Sequence, residues 1–428
     1  MIPEKFVSRT RALFGSRAQS IIEALSLPPL RAARVNTLKI SPDDFFRMAG
    51  SFRRNELCSD GFYFDGELRG SDPYHVAGLY YIQEASAQLP VALAAADIRG
   101  RVLDLCAAPG GKTCQLAALR PDVLYSNEYV YKRASALKSN IERLGIRNAL
   151  VTCNSAEDYA RQLPGFFDAV VVDAPCSGEG MFRKEPAAIG NWSEANVEAC
   201  AQRSLKLLLS AAETLKPGGI LVYSTCTLNY EENEGVIEKF IAARDFTVLP
   251  AAVPRGAESG FLENTVRVLP DRGAGEGHFT CRMVKNYGNV IKPRQPPVRR
   301  GSLPKETWKQ IASVTPWSDT AEKDGALYLA PEIYGELNYL SCGVKIFDVG
   351  KTAKPYHSLA MALYKGQTAN SIDFSRGDRL LKEYLSGREL SDPPFRGWGT
   401  VTVEGFPVGL VKCGDSVKNH LPKGLYIA

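Results

Sequence analysis

Two cysteines stand out by position. Cys176 follows the apolar run of FDAVVVDAPCSGEG, and Cys226 ends GGILVYSTCTLNYEENE. Both runs are nearly all apolar, as strands covered on both faces are. Neighbouring parallel strands would bring the two thiols and Asp173 to one rim. An intracellular cysteine is ordinarily a small buried hydrophobe, so position has to make the case. A thiolate is a strong nucleophile, and one reaction has use for two thiols and an acid. Carbon 5 of cytosine is too poor a nucleophile to attack a sulfonium methyl, but a thiolate adding to carbon 6 turns the ring into an enamine. An acid near ring nitrogen 3 favours that addition. A second acid/base group must then help remove the carbon 5 proton and expel the thiol. Asp173 and either cysteine suit these roles, and residue type alone does not say which cysteine attacks.

A cofactor loop lies upstream. DLCAAPGGKT, Asp104 to Thr113, closes one apolar strand and opens a helix, where open α/β sheets bind ligands. Gly110 and Gly111 would let backbone approach a ligand, and Pro109 stiffens the turn. Glu128 ends the next strand, placed to accept both hydroxyls of a ribose. GGKT also matches the end of a phosphate-binding loop of ATPases and GTPases, but the first glycine of that motif is replaced by Cys106. An adenosine bearing a sulfonium amino acid needs no phosphate cradle. Arg183 and Lys184, shortly after Cys176, could depress a thiol pKa or contact phosphate, or could simply be a solvated pair.

These groups need a frame. From Arg101, short apolar strands alternate with helical stretches, the signature of a doubly wound parallel α/β sheet. GHFTCRMVK is expected to add an antiparallel edge strand. Before the sheet, residues 1–90 read as a small α+β domain of split β-α-β, ferredoxin-like type. In it, ARVNTLKI and GFYFD are strands, a helix follows Pro42, and YYIQEASAQLPVALAAAD is a helix leading into the sheet domain at 91–288. Residues 289–345 read as a basic linker and intermediate segment. Residues 346–428, with GWGTVTVEGFPVGLVKCG, read as a β-rich domain.

Composition narrows the class. The 428 residues are 45% hydrophobic and 23% charged, with a net charge of +5. No apolar run approaches membrane-spanning length. The N-terminus lacks the features of a secretory signal, and the protein is read as cytoplasmic. The ten cysteines form no zinc-spaced set, so no metal is expected. IKPRQPPVRRGSLPK places Arg299 and Arg300 among prolines with no acid, as a solvated linker or a phosphate-contacting strap.

Taken together, RVNTLK, YYIQEASAQLP, DLCAAPGGKT, SNE, DAPCSGEGMFRK and STCTLNYEENE resemble motifs of the Nop/Sun family of RNA cytosine carbon-5 methyltransferases, specifically its RsmF-like bacterial 16S ribosomal RNA enzymes. The resemblance covers most of the chain. It implies a Rossmann-like class I methyltransferase sheet, S-adenosyl-L-methionine as cofactor, an RNA-binding role for the N-terminal domain at 1–90, and a PUA-like RNA-binding C-terminal domain. It makes Cys226 the nucleophile and Cys176 the residue that assists release, an order that DNA cytosine methyltransferases reverse. By the same carry-over Cys106, Ala107, Ala108, Pro109, Gly110, Gly111, Lys112, Glu128, Arg133 and Asp173 line the cofactor. Where many relatives place an acid near the adenine, this chain has Asn154 and Ser155, with Glu157 and Asp158 just beyond. Arg183, Lys184, Arg299 and Arg300 are expected at the RNA. The implied partner is 16S ribosomal RNA or the small ribosomal subunit, with no membrane and no obligate protein partner. Transfer RNA is the alternative substrate, and an inactive RNA-binding protein is the rival class.

Overall fold

A computed structural model describes residues 2–66, 68–288, 321–323, 325–349, 353–368 and 370–427. The basic proline-rich segment, with Arg299 and Arg300, lies outside these residues. Strands β1 (Ala32–Val35), β2 (Arg53–Arg54), β3 (Gly61–Tyr63) and β4 (Tyr80–Ile82) form an N-terminal sheet in the order β2-β3-β1-β4, each neighbour antiparallel. Helix Pro42–Ala49 starts where the sequence marks it. Proline takes the first turn, and the Ser41 hydroxyl accepts the Asp44 N–H at 3.1 Å. One expectation fails here. YYI is not helix but β4, because β1 offers it a partner and aromatic and β-branched residues suit a strand. Helical structure begins only with the turn Ser86–Gln88 and the helix Leu89–Ala94.

The central sheet carries five parallel strands, β5 (Arg101–Asp104), β6 (Val123–Asn127), β7 (Ala149–Thr152), β8 (Phe167–Asp173) and β9 (Leu215–Thr225), in the order β7-β6-β5-β8-β9. This is the doubly wound, Rossmann-like plan, and strand order reverses between β5 and β8. Alternate residues feed separate cores on the two faces. Leu103, Val170, Val172, Leu221 and Tyr223 pack on one side, and Val102, Val171, Val222 and Leu124 on the other. Each such buried side chain contributes about 1.5–3 kcal/mol, so the strand ends are held rigidly.

The sheet extends further than the sequence suggests. His278–Lys285 is antiparallel to β9 but is no edge, since Val266–Val268 and Phe246–Val248 pair with it. On the far side Tyr339–Cys342, from the supposed linker region, pairs antiparallel with β7. A domain boundary at 346 would cut the strand Val344–Val349, which belongs to a separate small sheet with Ala321–Lys323, Ala326–Leu329 and Ala353–Pro355.

The C-terminal sheet comprises Ser371–Phe374, Gly397–Val403, Phe406–Cys413 and Val417–Asn419. Its core runs into that of the N-terminal domain, Tyr384 and Val401 joining Phe62 and Tyr74 in one cluster. Arg376 pairs with Asp72 at 2.7 Å across the junction. Among the described residues no helix is long and apolar enough to cross a membrane.

Candidate active site

The loops leaving β8 and β9 meet at the two thiols. Cys176 and Cys226 sulfurs lie 3.2 Å apart, both partly exposed. The Cys176 thiol is raised well above its ordinary pKa by the hydrogen bond to the Cys226 sulfur, by burial and by Glu232, so it is held protonated. Beneath the pair lies a polar network that sequence reasoning missed. Glu232 accepts the Ser177 N–H at 2.8 Å and the Asn229 amide at 2.7 Å. Glu179 accepts the N–H groups of Leu228 and Asn229 at 3.0 and 2.9 Å, and the Trp192 indole N–H at 2.9 Å. The Gly180 N–H reaches the Cys226 carbonyl at 3.0 Å, tying the two cysteine loops together. A side chain at Gly180 would stand 2.6 Å from the Gly277 carbonyl, so that approach requires glycine. Phe6 of the N-terminal helix Glu4–Phe14 packs on Phe182 and Trp192, at ring distances of 5.0 and 5.8 Å, and pins the loop from outside.

Asp173, at the end of β8, is bonded by Lys112 Nζ at 2.8 Å on one oxygen and by the Ser224 hydroxyl at 2.7 Å on the other. Burial pushes its carboxyl up, but Lys112, His278 and the Ser224 hydroxyl together outweigh this and hold it below the usual carboxylate range. Asp173 is therefore ionised, with the Lys112 side chain bonded to it. His278 stands 3.8 Å from Asp173, neutral, its pKa pushed down to about 3 by burial and Lys112.

On the other side of Pro175, a cavity of about 440 Å³ opens over the carboxyl ends of β5, β6 and β7. Cys106, Glu128, Arg133, Asn154 and Ser155 line it, with apolar surface from Leu105, Val130 and Leu207. Glu128 is almost fully buried. It accepts the Val130 N–H at 2.9 Å and sits 3.3 Å from Arg133, which also bonds the Ala108 carbonyl. A buried carboxylate at the floor of a largely apolar slot fits an adenosine. A larger cavity, about 860 Å³, opens at the opposite ends of the strands around Gly100, Lys216 and Gly218. Two of its acids are already paired, Asp168 with Lys216 and Asp97 with Arg282. Topology rather than size locates the chemistry.

Several expected residues have other work. Ala107 to Lys112 are not among the described residues that line the cofactor cavity. Gly110 takes a left-handed φ of 116°, as the turn demands. Gly111 is small for a different reason, since a Cβ there would meet Gln83 and Tyr81 of the N-terminal domain at 3.0–3.2 Å. Fully buried Arg34, in the RVNTLK stretch, donates to the Gly111 carbonyl at 3.1 Å. The side-chain amide of Asn154 is bonded to the backbone of Asn338, accepting its N–H at 3.0 Å and donating to its carbonyl at 3.4 Å. Ser155 caps the helix Ala156–Gln162 in a reciprocal box with Asp158.

Arg183 is neither a surface contact nor a neighbour that tunes the thiols. Its side chain is 5% exposed, paired with Glu276 and bonded to the carbonyls of Ala24 and Gly275. Lys184 is exposed. The residues missed had a signal. In TLNYEENE each acid has its own partner, Glu231 pairing with Arg9, Glu232 with the Ser177 loop and Glu234 with buried Arg267. Buried acids in a loop after a strand are themselves a mark of built geometry.

Comparison with known proteins adds to this geometry. The family model described as 16S rRNA methyltransferase RsmB/F matches residues 91–284. The N-terminal domain of 16S rRNA methyltransferase RsmF matches 2–85, and the methyltransferase RsmF PUA domain matches 371–427. The chain is 34% identical to ribosomal RNA small subunit methyltransferase F of Serratia proteamaculans, covering 99% of this chain and 96% of that protein. It is 35% identical to the protein of the same name from Vibrio atlanticus, covering 99% and 97%. A solved methyltransferase homolog protein from Pyrococcus horikoshii is 34% identical over 66% of this chain and 95% of its own, with a TM-score of 0.58. NSun6 from the same organism, 21% identical and also at 0.58, covering 68% of this chain and 99% of its own, shares the fold.

Proposed function

Because the chain belongs to the RsmB/F family of 16S rRNA methyltransferases, we propose that it methylates carbon 5 of a cytidine in 16S ribosomal RNA, in the cytoplasm, with S-adenosylmethionine as methyl donor and Cys226 as nucleophile. The observation that carries this reading is the thiol pair at 3.2 Å. Glu128 would hold the ribose of S-adenosylmethionine, which would supply an electrophilic methyl group.

Everything else falls to the chain. The Watson–Crick edge of cytosine has an amino donor beside ring acceptors, which matches a carboxylate beside an ammonium, Asp173 and Lys112. When the Cys226 thiolate bonds to carbon 6, negative charge develops on the ring and Lys112 faces it. Carbon 5 is then the nucleophile. Release breaks the bond between Cys226 sulfur and carbon 6, and the sulfur leaves with the electron pair. Cys176, hydrogen-bonded to that sulfur, gives it a proton, and the Cys176 thiolate so formed takes the proton from carbon 5, whose electron pair re-forms the double bond between carbons 5 and 6. The pair ends one proton richer and returns it to solvent.

Cys226→Ala is expected to abolish methyl transfer. Cys176→Ala is expected to leave a protein–RNA adduct that survives a denaturing gel, because addition proceeds and release stalls. An adduct with Cys226→Ala instead reverses the assignment. Mapping 5-methylcytosine in cells with and without the gene tests the substrate, and a loss confined to transfer RNA would overturn the ribosomal reading.

A further inference from the structure

We propose that a basic groove on the N-terminal domain, beside the loop that carries Cys176, holds the single-stranded RNA flanking the target cytidine. The inference rests on the RNA methyltransferase reading and extends it to a surface. The groove encloses about 450 Å³ and is lined by residues 29–32, by Phe64, Leu68, Arg69, Ile82 and Glu84, and by Lys184. Arg31 stands exposed on one domain and Lys184 on the other, so cations face the space from both sides. Arg31 is held in place by a bond to the Gly66 carbonyl at 2.8 Å.

Glu84 is the one acid among the described lining residues, and its charge is turned inward. One of its oxygens accepts the N–H groups of Ser86 and Glu276 at 3.0 and 2.9 Å, and the other accepts the Ala87 N–H at 2.8 Å. Between the cations lie Leu30, Leu68 and Ile82, the last 40% exposed. Apolar surface framed by cations suits unpaired nucleotides, whose base faces need cover while their phosphates need charge. A paired helix would hide its bases from such a floor.

The groove is tied to the chemistry through one loop. Pro175 borders the cofactor cavity, Cys176 carries a thiol, Gly180 bonds the Cys226 carbonyl, and Lys184 reaches the groove. Arg183 and Glu276 lock that loop to the groove wall, since Glu276 also accepts the Leu30 N–H at 2.8 Å. A cytidine offered to the thiols must be unpaired, and its neighbours then pass along this wall.

The test is binding of a short single-stranded RNA containing the target, measured by anisotropy from about 50 to 200 mM salt. The double variant Arg31→Gln, Lys184→Gln is expected to bind about tenfold more weakly, with the slope of log K against log salt reduced by roughly 0.7 per lost phosphate contact. Ile82→Asp is expected to weaken RNA binding as well, and neither change should move the affinity for S-adenosylmethionine. In the Cys176→Ala adduct, 4-thiouridine beside the target should crosslink to residues 30–31, 68–69, 82 or 184. Unchanged RNA affinity and salt slope, or crosslinks confined to other surfaces, overturns the groove. Wild-type protein that methylates no RNA overturns the underlying reading, a result distinct from a failure of these variants.

Discussion

The cofactor cavity and the basic groove lie on either side of the same thiols and are built in different ways. The cavity is made largely from the carboxyl ends of consecutive strands of one sheet, so its residues fall in short motifs. The groove is made from three stretches of a separate domain and one lysine of the catalytic loop. A small molecule bound on many sides can be read by a few strand ends. A flexible polymer needs a surface, and surfaces are assembled from segments remote in sequence. Lys112 and Asn154 cross this division, one paired with Asp173 and the other held by Asn338, next to a strand distant in sequence.

The sharpest test of the division is Lys112→Met. It leaves Asp173 buried without its cation and should lower kcat at least 100-fold, about 3 kcal/mol of transition-state stabilisation, while the affinity for S-adenosylmethionine stays within about twofold. A large loss of cofactor affinity with kcat intact would return Lys112 to the cofactor side.

Asp104, at the end of β5, comes next. Burial pushes its carboxyl up to about 7, against a stabilising bond from Thr113 at 2.7 Å. The folded pKa exceeds the unfolded value, so between roughly pH 4 and 7 the folded state binds more protons and stability falls as pH rises. Asp104→Asn keeps the Thr113 bond and should remove about 2 kcal/mol of that fall between about pH 5 and 7, read by urea unfolding. Buried His278 acts in the opposite sense, losing stability as pH drops from about 6.5 toward 3, and is common to both proteins. Equal pH slopes for the two would sink the assignment.

The smallest expected effect concerns the wall near Asn154. Asn338→Pro removes the N–H that Asn154 accepts and should weaken S-adenosylmethionine binding about tenfold, roughly 1.4 kcal/mol, whereas Asn338→Ala keeps that N–H and should bind as the wild type does. Calorimetric titration separates them, and equal affinities would show that the distant strand does not hold this wall.

What could be read in the sequence follows the same division. The alternating apolar runs from Arg101 expose the doubly wound sheet because each strand is buried on both faces, and Glu128 and the two cysteines are legible because strand ends are where such sheets bind. The packing of Gly111 and the burial of Arg183 are not legible, because their partners, Gln83 and Tyr81 for one and Glu276 for the other, are supplied by tertiary packing. YYI reads as helix only while β1 is unseen. Tyr339–Cys342 carries too short a pattern to be assigned to a sheet whose neighbouring strand ended at Thr152.

That last strand has a consequence for synthesis. Until Tyr339–Cys342 leaves the ribosome, β7 presents a row of unpaired backbone N–H and C=O groups, which is a template for pairing with another nascent chain. The C-terminal third therefore acts as an edge guard for the catalytic sheet, and a chain cut short before it would expose an adhesive border on an otherwise finished fold.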